Sequence, residues 1–274
     1  MVAQGSPLPP AGKAPVEIYF TASDKHSSSV SLDQSEVIVT LDKQTAQVIS
    51  ARPAKQDKLL FAVLIDMSTS NRMRSEFIKG TADALFQGLS TEENQGYIVL
   101  FDVSANHSNR PLRPSEVHEV LKASKFGGGT ALFDAVFSTC KSILSKSRNP
   151  ENSRRVIILL SDGDDNQSST RAQEAIKSAE KEGISIFAIA TSKGFYSGSR
   201  GFDVLKEFTD GTGGRLIANY TLEDGVKAML AAIDSQWKLS IIPPPPSDRD
   251  LHSFQVKSSQ KNVQIVAPEK IFLP

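Results

Sequence analysis

One carboxylate and two hydroxyls stand at alternate positions directly after an apolar run of the sequence. The run covers residues 59–65, and the polar side chains are Asp66, Ser68 and Ser70. An apolar run of this length predicts a strand that is buried on both faces of a parallel sheet. Carboxylate and hydroxyl oxygens suit a hard cation such as Mg²⁺ better than a soft one. The three residues therefore predict half of a cation site at the carboxyl edge of a sheet, where open α/β folds hold their ligands.

Two further oxygen donors occur in similar settings later in the chain. Thr130 follows three glycines at 127–129 and directly precedes a helical pattern. Asp162 follows a second apolar run, 156–160, and Ser161. Because parallel strands end at the same edge of a sheet, these residues are expected near the first group.

The order and setting of these three motifs resemble the metal-ion-dependent adhesion site of von Willebrand factor A domains, over about residues 59–235. The resemblance implies one metal site with five ligands: Asp66, Ser68, Ser70, Thr130 and Asp162. It implies Mg²⁺ as the ion, with Mn²⁺ or Ca²⁺ as alternatives. It also implies a protein partner whose Asp or Glu reaches the metal.

Helix capping is the simpler interpretation of the hydroxyls. Ser68, Ser70 and Thr130 all lie at or near predicted helix starts, where hydroxyls bind free backbone N–H groups. Capping does not explain why Asp66 and Asp162 should meet the hydroxyls at one sheet edge. Metal binding is therefore the stronger hypothesis.

Four other acidic residues lie near the motifs without belonging to them. Asp164 and Asp165 are interpreted as a solvated acidic loop, with a shift of ion preference toward Ca²⁺ as the alternative. Asp134 is interpreted as a surface acid, and Asp102 as a neighbour of the site at the same sheet edge.

The middle of the chain alternates buried strands with amphipathic helices. This pattern predicts an α/β fold with a doubly wound, mostly parallel sheet and helices on both faces. The strands are predicted at 59–65, 97–101, 155–160, 184–190 and 215–218. The helices are predicted at 72–89, 115–122, 131–145, 170–182, 204–209 and 222–235.

The two ends of the chain show strand alternation instead. Strands are predicted at 16–20, 36–41, 46–51, 236–242, 253–257 and 262–266, with a tight turn at Asp42 and Lys43. Neither end can bury a good core alone, so 16–57 and 236–274 are predicted to form one small β-sandwich around an inserted domain, 58–235. This layout resembles a bacterial subfamily of von Willebrand factor A related proteins, found notably in acidobacteria.

Composition narrows the classes of partner and location. The 31 basic and 31 acidic residues cancel, which gives no reason to expect nucleic acid or an anionic membrane surface. Cys140 is the only cysteine and is predicted to be a buried apolar residue, so no disulfide forms within the chain.

No apolar run approaches the ~20 residues of a membrane span. Residues 1–15 are predicted to be a disordered leader, of the kind left by signal-peptide removal, which favours an extracellular or periplasmic location.

The leading functional hypothesis is a protein-binding module without enzyme activity. The four histidines are scattered, and the sequence contains neither a phosphate-binding glycine loop nor a nucleophile elbow. A Mg²⁺-dependent phosphohydrolase is the alternative, because Asp66 ends a strand as phosphatase nucleophiles can. Ser68 and Ser70 stand where a second carboxylate would assist that chemistry, which argues against it. A structural scaffold with an incidental metal site is the third hypothesis.

Overall fold

A computed structural model describes residues 14–25, 30–145, 153–192, 197–218, 221–245 and 248–273. Most of the predicted leader, 1–15, lies outside the described residues. The first ten strands are β1 (Val16–Ser23), β2 (Val37–Leu41), β3 (Gln44–Thr45), β4 (Gln47–Pro53), β5 (Leu59–Asp66), β6 (Gln95–Phe101), β7 (Ala105–His107), β8 (Arg154–Ser161), β9 (Ile184–Ala190) and β10 (Leu216–Ile217). The last four are β11 (Gln236–Ile242), β12 (Leu251–Ser258), β13 (Gln264–Val266) and β14 (Lys270–Phe272). The helices are α1 (Ser75–Leu89), α2 (Pro114–Ala123), α3 (Leu132–Thr139), α4 (Ala172–Lys181), α5 (Arg200–Gly211) and α6 (Leu222–Asp234).

A six-stranded sheet in the order β10-β9-β8-β5-β6-β7 forms the centre of the molecule. All its neighbouring strands run parallel except β7, which runs antiparallel to β6. Alternate residues of β5 face opposite layers: Leu60 and Leu64 pack with α3, α4 and α5, whereas Phe61 and Val63 pack with α1, α2 and α6. The predicted doubly wound sheet with helices on both faces is confirmed.

Some element boundaries differ from the prediction. The helix predicted from residue 72 begins as a 3₁₀ turn at Thr69–Arg74 and becomes α-helical only at Ser75. The helix predicted over 131–145 changes from α to π geometry at Cys140–Leu144. Strands β7 and β14 were not predicted, because three residues are too short for a clear alternation. Among the described helices, none has the length and apolarity of a membrane span.

The two ends of the chain form two antiparallel four-stranded sheets. Their orders are β13-β1-β11-β4 and β14-β12-β2-β3, so each sheet contains strands from both ends. Strand β1 pairs with β11 from Val16 and Ile241 to Thr21 and Gln236. The sheets share one apolar core, whose side chains include Phe20, Val39, Leu239 and Phe254.

Candidate metal centre

The two aspartates of the motif lie at the point where the strand order reverses. Strand β5 pairs with β6 on one side and with β8 on the other, and the chain visits β6 before it crosses to β8. Ile65 pairs with Leu160, so Asp66 and Asp162 leave neighbouring strands at the same edge. Open α/β sheets bind ligands at such switch points.

Four of the five predicted residues form a continuous series of contacts. The backbone N–H of Ser68 donates to Asp66 Oδ1 at 3.0 Å. The hydroxyl oxygens of Ser68 and Ser70 lie 3.0 Å apart, and Ser70 Oγ donates to Asp162 Oδ2 at 2.6 Å. The structure therefore brings these two carboxylates and two hydroxyls together.

Thr130 is buried at the same edge, and its loop contacts the Asp66 turn through the backbone. Both the N–H and the hydroxyl of Thr69 donate to Gly128 O, at 3.2 and 3.0 Å. Gly128 has a φ of +81°, which other residues rarely adopt. A side chain at Gly129 would place its Cβ 2.8 Å from Asn166 Oδ1, so this position requires close backbone approach. Two of the three glycines that precede Thr130, Gly128 and Gly129, thus have local physical causes.

The carboxyl group of Asp66 is fully buried. Its Oδ2 accepts a hydrogen bond from Ser161 Oγ at 2.7 Å. Burial, with a smaller contribution from Asp162, raises the pKa of Asp66 to about 6, although hydrogen bonds from Ser68 and Ser161 oppose this. Among the described residues, no Lys, Arg or His forms an ion pair with either aspartate. A buried carboxylate without a cationic partner, such as Asp66, suits a bound cation.

The donor set consists mainly of hydroxyl groups. In the described part of the chain, no group of three or more His, Cys, Asp or Glu side chains is arranged to hold a metal ion. The predicted set differs in kind, because it contains two carboxylates and three hydroxyls. Oxygen donors of this mixture fit Mg²⁺, which commonly keeps several waters and needs few protein ligands.

The interpretation of Asp165 as part of a solvated loop is wrong. Its Oδ2 accepts the backbone N–H of Phe133 at 3.1 Å and the hydroxyl of Ser168 at 2.6 Å. Its Oδ1 accepts the backbone N–H of Ser168 at 3.2 Å. Asp164 is exposed, as predicted. Asp134 is half-buried, and its carboxylate accepts the backbone N–H groups of two residues, 169 and 170.

Asp102 lies beside the loop of Thr130. Its carbonyl oxygen accepts the N–H of Ala131 at 2.6 Å. Its side chain would lie 3.5 Å from a Cβ placed on Gly128. Asp102 thus neighbours the predicted ligand loop, as the sequence suggested.

Two further buried residues, Asn71 and Thr191, support the first motif and were not predicted. Asn71 Oδ1 accepts the hydroxyl of Thr191 at 2.6 Å, and its amide lies 3.5 Å from Ser68 Oγ. Thr191 directly follows β9, and its N–H donates to Ser161 O at 3.0 Å. A polar residue at the end of a third parallel strand was the available signal for Thr191.

Comparisons with known proteins identify the family of the central part of the chain. The sequence profile described as von Willebrand factor type A domain matches residues 62–224. No curated protein matches the chain significantly.

Three solved structures illustrate the likeness. Von Willebrand factor type A from Catenulispora acidiphila is 11% identical with a TM-score of 0.54, covering 96% of this chain and 74% of that chain. Proximal thread matrix protein 1 from the mussel byssus, with a zinc-occupied MIDAS motif, is 16% identical with a TM-score of 0.54, covering 71% and 49%. The manganese-loaded Plasmodium vivax TRAP protein is 15% identical with a TM-score of 0.51, covering 82% and 98%. Identities this low show a shared fold.

The profile match runs from β5 to the first turn of α6 and spans more than half of the chain. It includes all three motifs at the carboxyl edge of the sheet. The chain belongs to the von Willebrand factor type A domain family.

Proposed function

We propose that this chain is a protein-binding module that captures a carboxylate of its partner through one divalent cation. The proposed ligands are Asp66, Ser68, Ser70, Thr130 and Asp162. The observation that carries the proposal is the buried Asp66 carboxylate, which lies with a second carboxylate and two hydroxyls at the switch point of the sheet. Metal loading of the mussel and Plasmodium proteins, which share the fold, supports a divalent cation here.

The proposed ligands differ in how far they are buried. Asp66 is buried and held by Ser68 and Ser161, whereas Ser70 is exposed and Asp162 is half-buried. When bound, the cation supplies an electrophilic position that an Asp or Glu of a partner protein can fill. Neutral hydroxyls support this role because they leave much of the cation's charge uncompensated.

Mg²⁺ is the proposed ion, and Mn²⁺ and Ca²⁺ are the alternatives. Ca²⁺ takes six to eight oxygen ligands, so it would favour extra carboxylates near the site. Both oxygens of Asp165 already accept hydrogen bonds from protein groups. These bonds tie Asp165 to the start of α3, and it is not among the proposed ligands. Only two carboxylates are then proposed for the ion, which favours the smaller Mg²⁺.

We propose further that the chain is not an enzyme. A phosphohydrolase would need Asp66 as an accessible nucleophile. Both carboxylate oxygens of Asp66 accept hydrogen bonds, and the side chain is fully buried. Burial of this kind suits a ligand that is held in place.

The proposed module comprises two domains. Residues 16–57 and 236–274 would form one β-domain, supported by the pairing of β1 with β11 and of β2 with β12. The metal-binding domain, 58–235, would be inserted into it. Helix α6 ends at Asp234 and β11 begins at Gln236, so a shift of α6 would be passed to the β-domain. Partner binding would bias this shift by no more than its differential affinity for the two arrangements.

Titration calorimetry with Mg²⁺ and with Mn²⁺ tests the metal site. We expect one ion per chain for the wild-type protein and at least a roughly tenfold loss of affinity for Asp66→Asn, which keeps the shape of the side chain but removes its charge. Asp164→Asn is the matched control, because it removes an exposed charge two residues after Asp162. Equal binding by wild type and Asp66→Asn would overturn the site.

The partner is tested by capture on immobilised protein from the extracellular and envelope fractions of the source organism. We expect proteins that bind with Mg²⁺, are released by EDTA, and are lost with Thr130→Ala. Capture that is unchanged by EDTA would contradict the mechanism. Hydrolysis of p-nitrophenyl phosphate that requires Mg²⁺ and Asp66 would instead support the phosphohydrolase.

A further inference from the structure

The segment that follows Asp162 holds the backbone of Thr130 on both sides. Asn166 Oδ1 accepts the N–H of Thr130 at 3.0 Å. The N–H groups of Asn166 and Gln167 both donate to Thr130 O, each at 3.0 Å. Three hydrogen bonds therefore fix the peptide groups on either side of one predicted ligand.

The same segment also caps the helix that begins after Thr130. Ala131 stands at the N-cap of α3 and has no side-chain oxygen with which to cap it. Asp165 Oδ2 accepts the N–H of Phe133, and Ser168 Oγ accepts the N–H of Asp134, both at 3.1 Å. In return, the Asp134 carboxylate accepts two N–H groups of the segment, from residues 169 and 170, at 2.9 and 2.8 Å. Side chains of the segment after β8 thus supply the N-terminal cap of α3.

We propose that Asn166, Asp165 and Ser168 form a clamp that positions Thr130 for the cation and joins it rigidly to Asp162. This inference rests on the proposed role of Thr130 as a ligand. The clamp residues follow Asp162 within six positions, so Thr130 shifts relative to Asp162 only if several of these hydrogen bonds break.

The clamp reduces three ligand loops to two units. Thr130 and Asp162 belong to one unit, and the turn from Asp66 to Ser70 is the other. The units meet through the hydrogen bond from Ser70 to Asp162 and through the bonds of Thr69 to Gly128 O. Any rearrangement of the site on partner binding would then be a movement of one unit against the other. Asn166 is a positioning residue in this scheme, because it acts on the cation through Thr130.

Substitution of Asn166 separates the positioning role from a general effect on the fold. Asn166→Ala removes the acceptor for the Thr130 N–H, whereas Asn166→Asp retains an acceptor oxygen at the same place. Ser169→Ala is the matched control, since it removes an exposed hydroxyl from the same segment. The readouts are Mn²⁺ affinity by calorimetry, and hydrogen exchange of the Thr130 amide in metal-free protein.

We expect Asn166→Ala to weaken Mn²⁺ binding roughly tenfold and to accelerate exchange of the Thr130 amide. Asn166→Asp should restore most of both, and Ser169→Ala should change neither. Ser168→Ala is the second variant if Asn166→Ala does not fold, with the Asp134 amide as its exchange probe.

The outcomes distinguish the clamp from the proposed function. Absence of Mn²⁺ binding by the wild-type protein would contradict the metal site itself. Wild-type binding that Asn166→Ala leaves unchanged, with unchanged exchange of the Thr130 amide, would overturn the clamp alone. Loss of binding in Asn166→Ala that Asn166→Asp does not restore would overturn the role of the acceptor oxygen.

Discussion

Burial decides what each side chain at the sheet edge can do. Asp66 is fully buried, so its carboxylate is costly to ionise unless a cation or hydrogen bonds compensate it. Ser70 is exposed and donates to Asp162. The site therefore keeps one carboxylate inside and presents a hydroxyl outside. A cation held between them, as we propose, would remain accessible from outside.

The single thiol illustrates the same principle away from the site. Burial raises the pKa of Cys140 to about 12, because an apolar surrounding disfavours the thiolate. We expect no reaction of native protein with a thiol-specific disulfide reagent at pH 8, and rapid reaction in denaturant. Ser259→Cys, which adds an exposed thiol, is the positive control. Fast labelling of the native wild-type protein would show that the helix region around Cys140 opens readily.

At the scale of elements, the strands and helices could be predicted because their apolar residues recur with a regular period in the sequence. The runs in β5 and β8 and the apolar stripes of the helices identified the sheet, its layers and the edge where the five predicted ligands lie. The clamp was not predicted, because it depends on contacts between segments more than thirty residues apart, such as Asn166 with Thr130. Asp165 was interpreted as solvated because it lies in an acidic run of the sequence. The sequence around it does not indicate which backbone N–H groups its carboxylate accepts in the fold. The contact of Ser161 with Asp66 was not predicted for the same reason, because the two residues lie 95 positions apart.

The turn between β2 and β3 offers a stabilising substitution. Asp42 and Lys43 have φ angles of 47° and 68°, which match a type I′ hairpin turn and favour glycine at the second position. Lys43→Gly should raise the free energy of unfolding by about 0.5–1 kcal/mol, because it relieves a left-handed non-glycine residue. Asp42 should not be substituted, because it accepts the N–H of Ser253 at 3.0 Å and contacts His252.

Urea denaturation of wild type, Lys43→Gly and Lys43→Ala measures this effect. Alanine keeps the unfavourable φ, so Lys43→Ala should show no gain. An equal gain for alanine would mean that the lysine side chain, and not its backbone angle, was the source of strain.

At the scale of the molecule, one buried arginine joins the two places where the chain passes between the flanking β-strands and the central sheet. Arg154, at the start of β8, donates to Ile233 O at 2.9 Å and to Lys55 O at 3.4 Å. These carbonyls lie at the end of α6 and between β4 and β5. An exposed ion pair of Lys55 with Asp234 spans the same two passages but contributes little, because solvent screens it. A backbone hydrogen bond from the N–H of Ala54 to Gln236 O, at 2.8 Å, joins the same two passages beside Arg154.

Glu180 lies where the central part of the molecule contacts β14. This side chain of α4 is only 6% exposed. Burial raises the pKa of Glu180 from 4.5 to about 7; Lys270 and Lys177 oppose the shift, and Glu269 adds to it. The folded state thus binds the proton more tightly than the unfolded state. Stability linked to this group is present below pH 4.5, falls as the pH rises toward 7, and is lost above that value.

Glu180→Gln tests this contact, because glutamine keeps an acceptor oxygen and cannot ionise. We expect the variant to exceed the wild type in free energy of unfolding by roughly 2 kcal/mol at pH 8, with the difference vanishing near pH 4. Urea denaturation at both pH values measures it, with the exposed Glu119→Gln as a control that should show no such trend. A gain of equal size at pH 4 would point to packing instead of charge. No gain at pH 8 would mean that the ionised carboxylate is accommodated in the folded protein, and that the contact of α4 with β14 does not depend on pH.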